Sequence, residues 1–161
     1  MMNDIMNEKL HIRAASGEDL DTLSSLVEKV ELMPGDMLAQ SMAPYFDINP
    51  DNEICMIAEL GSEIVGFYYA RQEEMADKVW NMLIIAVDKN VQGQGVGRQL
   101  VAHLEEALRD QNQRILIIDT SSDDQFIKTQ QFYENLGFER IATIPNYWMQ
   151  GEDKITFIKQ L

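Results

Sequence analysis

Three glycines alternate with other residues in the run Gln92-Gly93-Gln94-Gly95-Val96-Gly97-Arg98. Glycine tolerates positive φ and lets a backbone approach a ligand closely. A helix starting here offers first-turn amides with no internal acceptor, and its dipole adds partial positive charge. That combination favours binding of a phosphate or pyrophosphate, with Arg98 able to add a full charge. A Walker A loop would need Gly-Lys-Ser/Thr at its end, whereas this one ends Gly97-Arg98-Gln99. A dinucleotide fingerprint also fails, because its third glycine would fall on Arg98 or Leu100. Asp119 lies about where a ribose-binding acid is expected, the one detail favouring a dinucleotide. The alternative to a ligand site is a glycine-rich turn that caps a helix.

The neighbouring elements must hold this run in place. Val79–Val87 reads as a strand feeding the turn, and Leu100, Val101, Leu104, Ala107 and Leu108 follow with helical spacing to about residues 111–113. Arg114–Asp119 reads as a buried strand. Strand, crossover helix and strand predict that the two strands are parallel. Upstream, Lys9–Ala14 reads as a strand, and Ser16 with Asp19 resembles a capping box before the stripe Leu20, Leu23, Leu26, Val27, Val30. Pro34-Gly35 breaks that stripe. A short helix over Met37–Met42 is expected to stop near Pro44, within a methionine-rich segment ending in Tyr45 and Phe46. Glu53–Leu60 and Glu63–Arg71 read as strands joined at Gly61-Ser62 by a type II′ turn. Downstream, Gln125–Leu136 is a helix with Phe126, Thr129, Tyr133 and Leu136 on one face, closed by Gly137. Phe138–Ile144 and Lys154–Leu161 read as strands, with a loop holding Pro145, Tyr147, Trp148 and Gly151 between them.

The chain has 161 residues, a length that suits one domain with a sizeable core. Its formal charge of −14 argues against a nucleic-acid partner, which wants a basic face, and suits a cationic acceptor or simply a solvated surface. The single cysteine, Cys55, cannot form an internal disulfide and lies in an apolar run that reads as core. His11 and His103 show no metal-ligand spacing, so no metal is expected. The N-terminal MMNDIMNEK lacks the apolar segment of a secretory signal, and no run reaches the ~18–20 apolar residues of a membrane span. A cytoplasmic protein with no membrane partner is expected.

The turn resembles the Q/R-x-x-G-x-G/A signature of the GCN5-related N-acetyltransferases (the GNAT superfamily), read here as Gln92, Gly95 and Gly97. About 35 residues on, Phe132-Tyr133-Glu134-Asn135-Leu136-Gly137-Phe138 is similar to the family's second motif, FYexxGF. The resemblance runs from about residue 9 to the end and implies a single domain over 9–161. The implied fold is α/β of mixed α+β type: a mostly antiparallel sheet of six or seven strands flanked by about four helices. Its two parallel central strands splay apart to admit a thioester cofactor.

The activity implied is transfer of an acetyl group from acetyl-coenzyme A to a primary amine, directly within a ternary complex. Such chemistry needs a neutral amine, a polarised carbonyl and an acid for the departing thiolate. By resemblance, backbone groups of Ile85, Ala86 and Val87 bind the pantetheine arm. Amides of Gln92, Gly93, Gln94, Gly95, Val96, Gly97 and Arg98 hold the pyrophosphate. Thr129 and Phe132 are further cofactor contacts, and Tyr133 is the acid. The resemblance allows a homodimer, though no sequence feature specifies one, and leaves the acceptor as a small-molecule or peptide amine.

Two departures from the family pattern stand out. Many members carry an asparagine seven residues before the tyrosine; here it is Phe126, leaving Ser121 or Ser122 to supply that contact. Many also carry a glutamate base on the central strand, but Val79–Ala86 holds no carboxylate. Asp119 is then the candidate base, ahead of Glu73 and Glu74, and a water chain with no dedicated base is another route. A non-catalytic acyl-coenzyme A sensor stays open as an alternative, as does a dinucleotide-binding fold.

Overall fold

Among the described residues, seven strands and four α-helices build the fold. In chain order they are β1 (His11–Ala14), α1 (Leu20–Lys29), α2 (Gly35–Ile48), β2 (Glu53–Leu60), β3 (Glu63–Gln72), β4 (Val79–Val87), α3 (Val96–Asp110), β5 (Ile115–Ser121), α4 (Ile127–Asn135), β6 (Glu139–Met149) and β7 (Glu152–Gln160). The structure is a computed structural model and describes residues 9–161. The expectation for the N-terminal MMNDIMNEK falls outside the described residues, apart from Lys9. Strand order is β1-β2-β3-β4-β5-β7-β6. β1 with β2, β5 with β7 and β6 with β7 are antiparallel, while β4 and β5 are parallel, as the crossover helix predicts. The mixed α/β class expected from the sequence is the one found.

The chain packs as two compact units. One runs up to Ala70 and takes in Ile84–Leu104; the other comprises Arg71–Leu83 and Glu105–Leu161. In the first, Leu23 and Val27 of α1 and Leu38 and Met42 of α2 are fully buried with Ile57 and Phe67. The apolar spacing of α1 places those side chains on one face. Helix α2 differs from its expected length: it passes through Pro44 and ends only at Asn49, in the left-handed region with φ +50°. Proline inside a helix removes a hydrogen bond and costs about 3 kcal/mol. Burial of the next residue offsets that cost. Tyr45 sits edge-on to Phe46 and Tyr69, with centroids 5.0 and 5.8 Å away, and its hydroxyl accepts the Cys55 amide at 3.3 Å. Cys55 is buried, and burial pushes its thiol up to about 12, so it behaves as core. At the β2–β3 turn Gly61 takes φ +59° while Ser62 stays out of the left-handed region, as a type II′ turn requires.

In the second unit the parallel ladder pairs Val79, Trp80 and Asn81 of β4 with Ile115, Leu116 and Ile117 of β5. β5 continues along β7, setting Asp119 opposite Thr156 and Ser121 opposite Lys154. Helix α4 ends as expected: Gly137 takes φ +89°, and the Phe138 amide donates to the Tyr133 carbonyl at 3.1 Å. Strand β6 is longer than the sequence suggests. It runs through Pro145 to Met149, so the expected loop shrinks to a turn at Gln150-Gly151. β6 is the last strand of the sheet, where a residue lacking an N–H is tolerated, and its pairing with β7 is irregular between Ile144 and Met149.

Candidate active site

The glycine turn belongs to the first unit. Beyond β4 the Asp88 carboxylate accepts the Asn90 amide at 2.8 Å, and the Gln92 side chain donates to the Val87 carbonyl at 3.0 Å, folding the loop back onto the strand. Gly93 and Gly95 take φ +79° and +87°, and a Cβ on either would meet nothing within 4 Å. Glycine is needed there for conformation, and the space above the turn is open. Helix α3 starts at Val96, with the Gln99 amide on the Gly95 carbonyl at 3.0 Å, so the Val96, Gly97 and Arg98 amides form its unpaired first turn. Arg98 is exposed and makes no ion pair among the described residues. An open turn, a helix N-terminus and a free guanidinium fit a pyrophosphate. Ala86 is buried beside Gly66, while Ile85 and Val87 are half-buried.

Tyr133, Phe132 and Thr129 lie on α4 in the second unit. Tyr133 is 3% exposed and packs against Phe132, Phe138 and Phe157 with centroids 5.5, 6.0 and 5.6 Å away. Burial pushes its phenol above the ordinary tyrosine value. Its hydroxyl makes no hydrogen bond among the described residues. Phe132 and Thr129 are half-buried on the same helix. The serines expected to replace the missing asparagine are engaged with β7. Ser121 Oγ contacts Glu152, and Ser122 Oγ accepts the Asp153 amide at 2.8 Å.

A cleft of about 520 Å³ opens within the second unit, lined by Arg71, Glu73, Asn81, Asp119, Lys154 and Thr156. Asp119 Oδ1 accepts the Thr156 hydroxyl at 2.6 Å, and Oδ2 lies 3.8 Å from Lys154 Nζ. Asn81 Nδ2 donates to Glu73 at 3.2 Å and to Asp119 at 3.4 Å, linking the two carboxylates. Asn81 is 7% exposed, and its Oδ1 is closed off from solvent with no hydrogen-bond partner among the described residues. One wall is aromatic: Tyr147 and Trp148 stack edge to face at 4.7 Å, Lys154 Nζ sits 4.3 Å over the Tyr147 ring, and the Trp148 indole donates to the Thr120 carbonyl at 3.3 Å. The volume suits a small molecule or the end of a peptide.

The structure thus gathers Asp119 and Glu73 around Asn81, while Glu74 lies exposed outside the cleft lining. Tyr133 is not part of that cluster. Asn81, Lys154 and Thr156 escape sequence reasoning because they reach Asp119 only through strand pairing. The one available signal is a polar residue in the otherwise apolar start of β4. Among the described residues no three His, Cys, Asp or Glu side chains converge as a metal site needs, and no helix is long and apolar enough to cross a membrane.

A seven-stranded sheet with β4 and β5 parallel and an open glycine turn after β4 is the fold class of the acetyltransferases it resembles. The profile of the "Acetyltransferase (GNAT) domain" matches residues 51–140, more than half of the chain, and the chain belongs to this family. It is 24% identical over 144 residues to N-alpha-acetyltransferase 30 of Dictyostelium discoideum, covering 88% of this chain and 74% of that protein. A putative GNAT acetyltransferase from Desulfovibrio desulfuricans has a similar fold, with TM-score 0.87 at 20% identity over 94% of this chain and 99% of that one. An aminoglycoside 6'-N-acetyltransferase complexed with coenzyme A is also similar, with TM-score 0.76 at 20% identity over 93% and 96%.

Proposed function

We propose that residues 9–161 act as one catalytic domain transferring an acetyl group from acetyl-coenzyme A to a primary amine, directly and without an acyl-enzyme. The observation that carries this is the open glycine turn at the head of α3, the anion cradle a coenzyme A pyrophosphate requires. In this reading the amides of Gln92–Arg98 hold the pyrophosphate and the backbone of Ile85–Val87 the pantetheine arm, with Thr129 and Phe132 as further contacts. The cleft around Asn81 receives the amine. N-alpha-acetyltransferase 30 and aminoglycoside 6'-N-acetyltransferase, by their names, acetylate an alpha-amine and an aminoglycoside amine, so the likeness supports an amine acceptor. The buried thiol of Cys55 supports transfer with no acyl-cysteine.

Protons and bonds balance as follows. An ammonium acceptor, pKa ~10.4 for a lysine-like amine, loses one proton before attack. Its nitrogen forms a bond to the thioester carbon, the carbon–sulfur bond breaks, and the nitrogen sheds a second proton. One proton ends on the coenzyme A thiol by way of Tyr133, and the other reaches solvent through Glu73, Asp119 or water. Glu73 suits the base role because its carboxylate is held only by the neutral Asn81, whereas Asp119 already faces Lys154 and Thr156. Calorimetry tests the cofactor half of the reading. Acetyl-coenzyme A should bind and NAD should not, and Gly95→Glu should weaken acetyl-coenzyme A binding about a hundredfold, ~2.7 kcal/mol. Binding with no turnover on any primary amine would favour the sensor alternative.

A further inference from the structure

We propose that the cleft selects a primary amine carrying a carboxylate a few bonds away, with Glu73, positioned by Asn81, taking the ammonium and Arg71 the carboxylate. The proposal rests on the acetyltransferase reading and names the acceptor chemistry. The Asn81 amide fixes the first half. Turning it over would set its oxygen against the two carboxylates its nitrogen now serves, so Nδ2 faces Glu73 and Asp119 and Oδ1 faces away. The amide nitrogen thereby holds the Glu73 carboxylate in the cleft wall, where an anion meets an ammonium.

Charge accounting fixes the second half. Four charged side chains line the cleft. Lys154 and Asp119 lie 3.8 Å apart, and Lys154 also rests on the Tyr147 ring, so this pair is internally compensated. Glu73 and Arg71 are not. The hydrogen bond to Glu73 comes from the neutral Asn81, and Arg71 makes no ion pair or hydrogen bond among the described residues. The cleft therefore presents one uncompensated anion and one uncompensated cation. A simple amine answers only the first. A zwitterion answers both, and a guanidinium fork matches a carboxylate in two-point geometry. A free amino acid and a peptide N-terminus followed by an acidic residue share this chemistry.

Matched acceptors test the proposal, with thiol release and product mass as readouts. β-Alanine is compared with β-alaninamide, and Ala-Asp-amide with Ala-Asn-amide. The expected result is that one acid exceeds its neutral partner by about tenfold or more in kcat/KM. The pair showing this identifies a free amino acid or a peptide as the source. In Arg71→Gln that ratio should fall to near one. In Asn81→Leu the KM of both members should rise while the stability gained from acetyl-coenzyme A is retained, which reports a folded, cofactor-competent variant. Equal use of acid and neutral partners, or a ratio unmoved in Arg71→Gln, would overturn the proposal and leave the acetyltransferase reading standing. Acetyl-coenzyme A binding with no acetylation of any member would overturn both.

Discussion

Asp119 and Tyr133 meet strand β7 on opposite faces. Asp119 accepts the hydroxyl of Thr156, and Tyr133 packs against the next residue, Phe157. Successive side chains of a strand point to opposite sides. A carboxylate cluster on one face and a buried phenol on the other suit a reaction that takes a proton from the entering amine and gives one to the departing thiolate.

Tyr133→Phe should lower kcat by about 10²–10⁴-fold, the usual worth of a positioned acid, with acetyl-coenzyme A affinity little changed. Burial raises the phenol pKa, so the group stays protonated beyond its ordinary ~10. The variant should therefore lower the plateau of the pH–rate profile without moving its alkaline limb. Undiminished kcat at saturating substrates would remove Tyr133 as the acid.

Gly66 permits the strand beneath the glycine turn to pack closely. A Cβ there would lie 3.0 Å from the Ala86 carbonyl and 3.2 and 3.4 Å from side-chain atoms of Leu100 and Val96 in α3. Gly66→Val should destabilise by about 1–3 kcal/mol through overpacking, and should weaken acetyl-coenzyme A binding by displacing the helix start. Denaturant unfolding and calorimetry measure the two effects. Normal values for both would show that the helix tolerates a shift.

Lys159 clamps the end of the Tyr133 helix. Its ammonium donates to the Leu136 carbonyl at 2.7 Å and lies 2.5 Å from the Glu105 carboxylate, which is buried. Lys159→Met leaves that buried carboxylate with only Arg109, 4.0 Å away, and should cost about 2–4 kcal/mol. The double variant Lys159→Met with Glu105→Leu removes both charges and should recover most of the loss. No recovery on urea unfolding would assign the cost to the Leu136 contact.

Acid sensitivity should trace to Asp19. Arg13 donates to both of its carboxylate oxygens at 2.9 Å and holds its pKa below the usual range, helped by the Ser16 amide. A depressed folded pKa gives stability that is present above the unfolded value of ~3.9 and lost as pH falls through the folded value. Asp19→Asn should be less stable than the parent at neutral pH, with the gap closing as pH drops below about 4. A gap of constant size across that range would exclude the linkage.

Much of this was legible in the sequence, and the reason is locality. The glycine turn, the α4 motif closed by Gly137 and the Gly61-Ser62 hairpin each lie within a few residues, so spacing reveals them. The prolines misled. Pro44 reads as a helix stop and Pro145 as a loop, yet burial of Tyr45 carries the helix onward and the outermost position of β6 accommodates the second. The cleft around Asn81 was hidden for a different reason. It depends on register, Asp119 opposite Thr156 across β5–β7 and Asn81 opposite Ile117 across β4–β5, which no local pattern specifies. From sequence the start of β4 reads only as lacking a glutamate, and the bonds of Asn81 to Glu73 and Asp119 exist only once the strands are aligned.

The most direct measurement incubates the purified protein with acetyl-coenzyme A and primary amines, following thiol release and product mass together. The account predicts an acetylated amine formed one-for-one with free coenzyme A thiol, no acetyl group left on Cys55, and loss of both signals in Gly95→Glu. Thiol release with no acetylated amine, or turnover undiminished in Gly95→Glu, would contradict it.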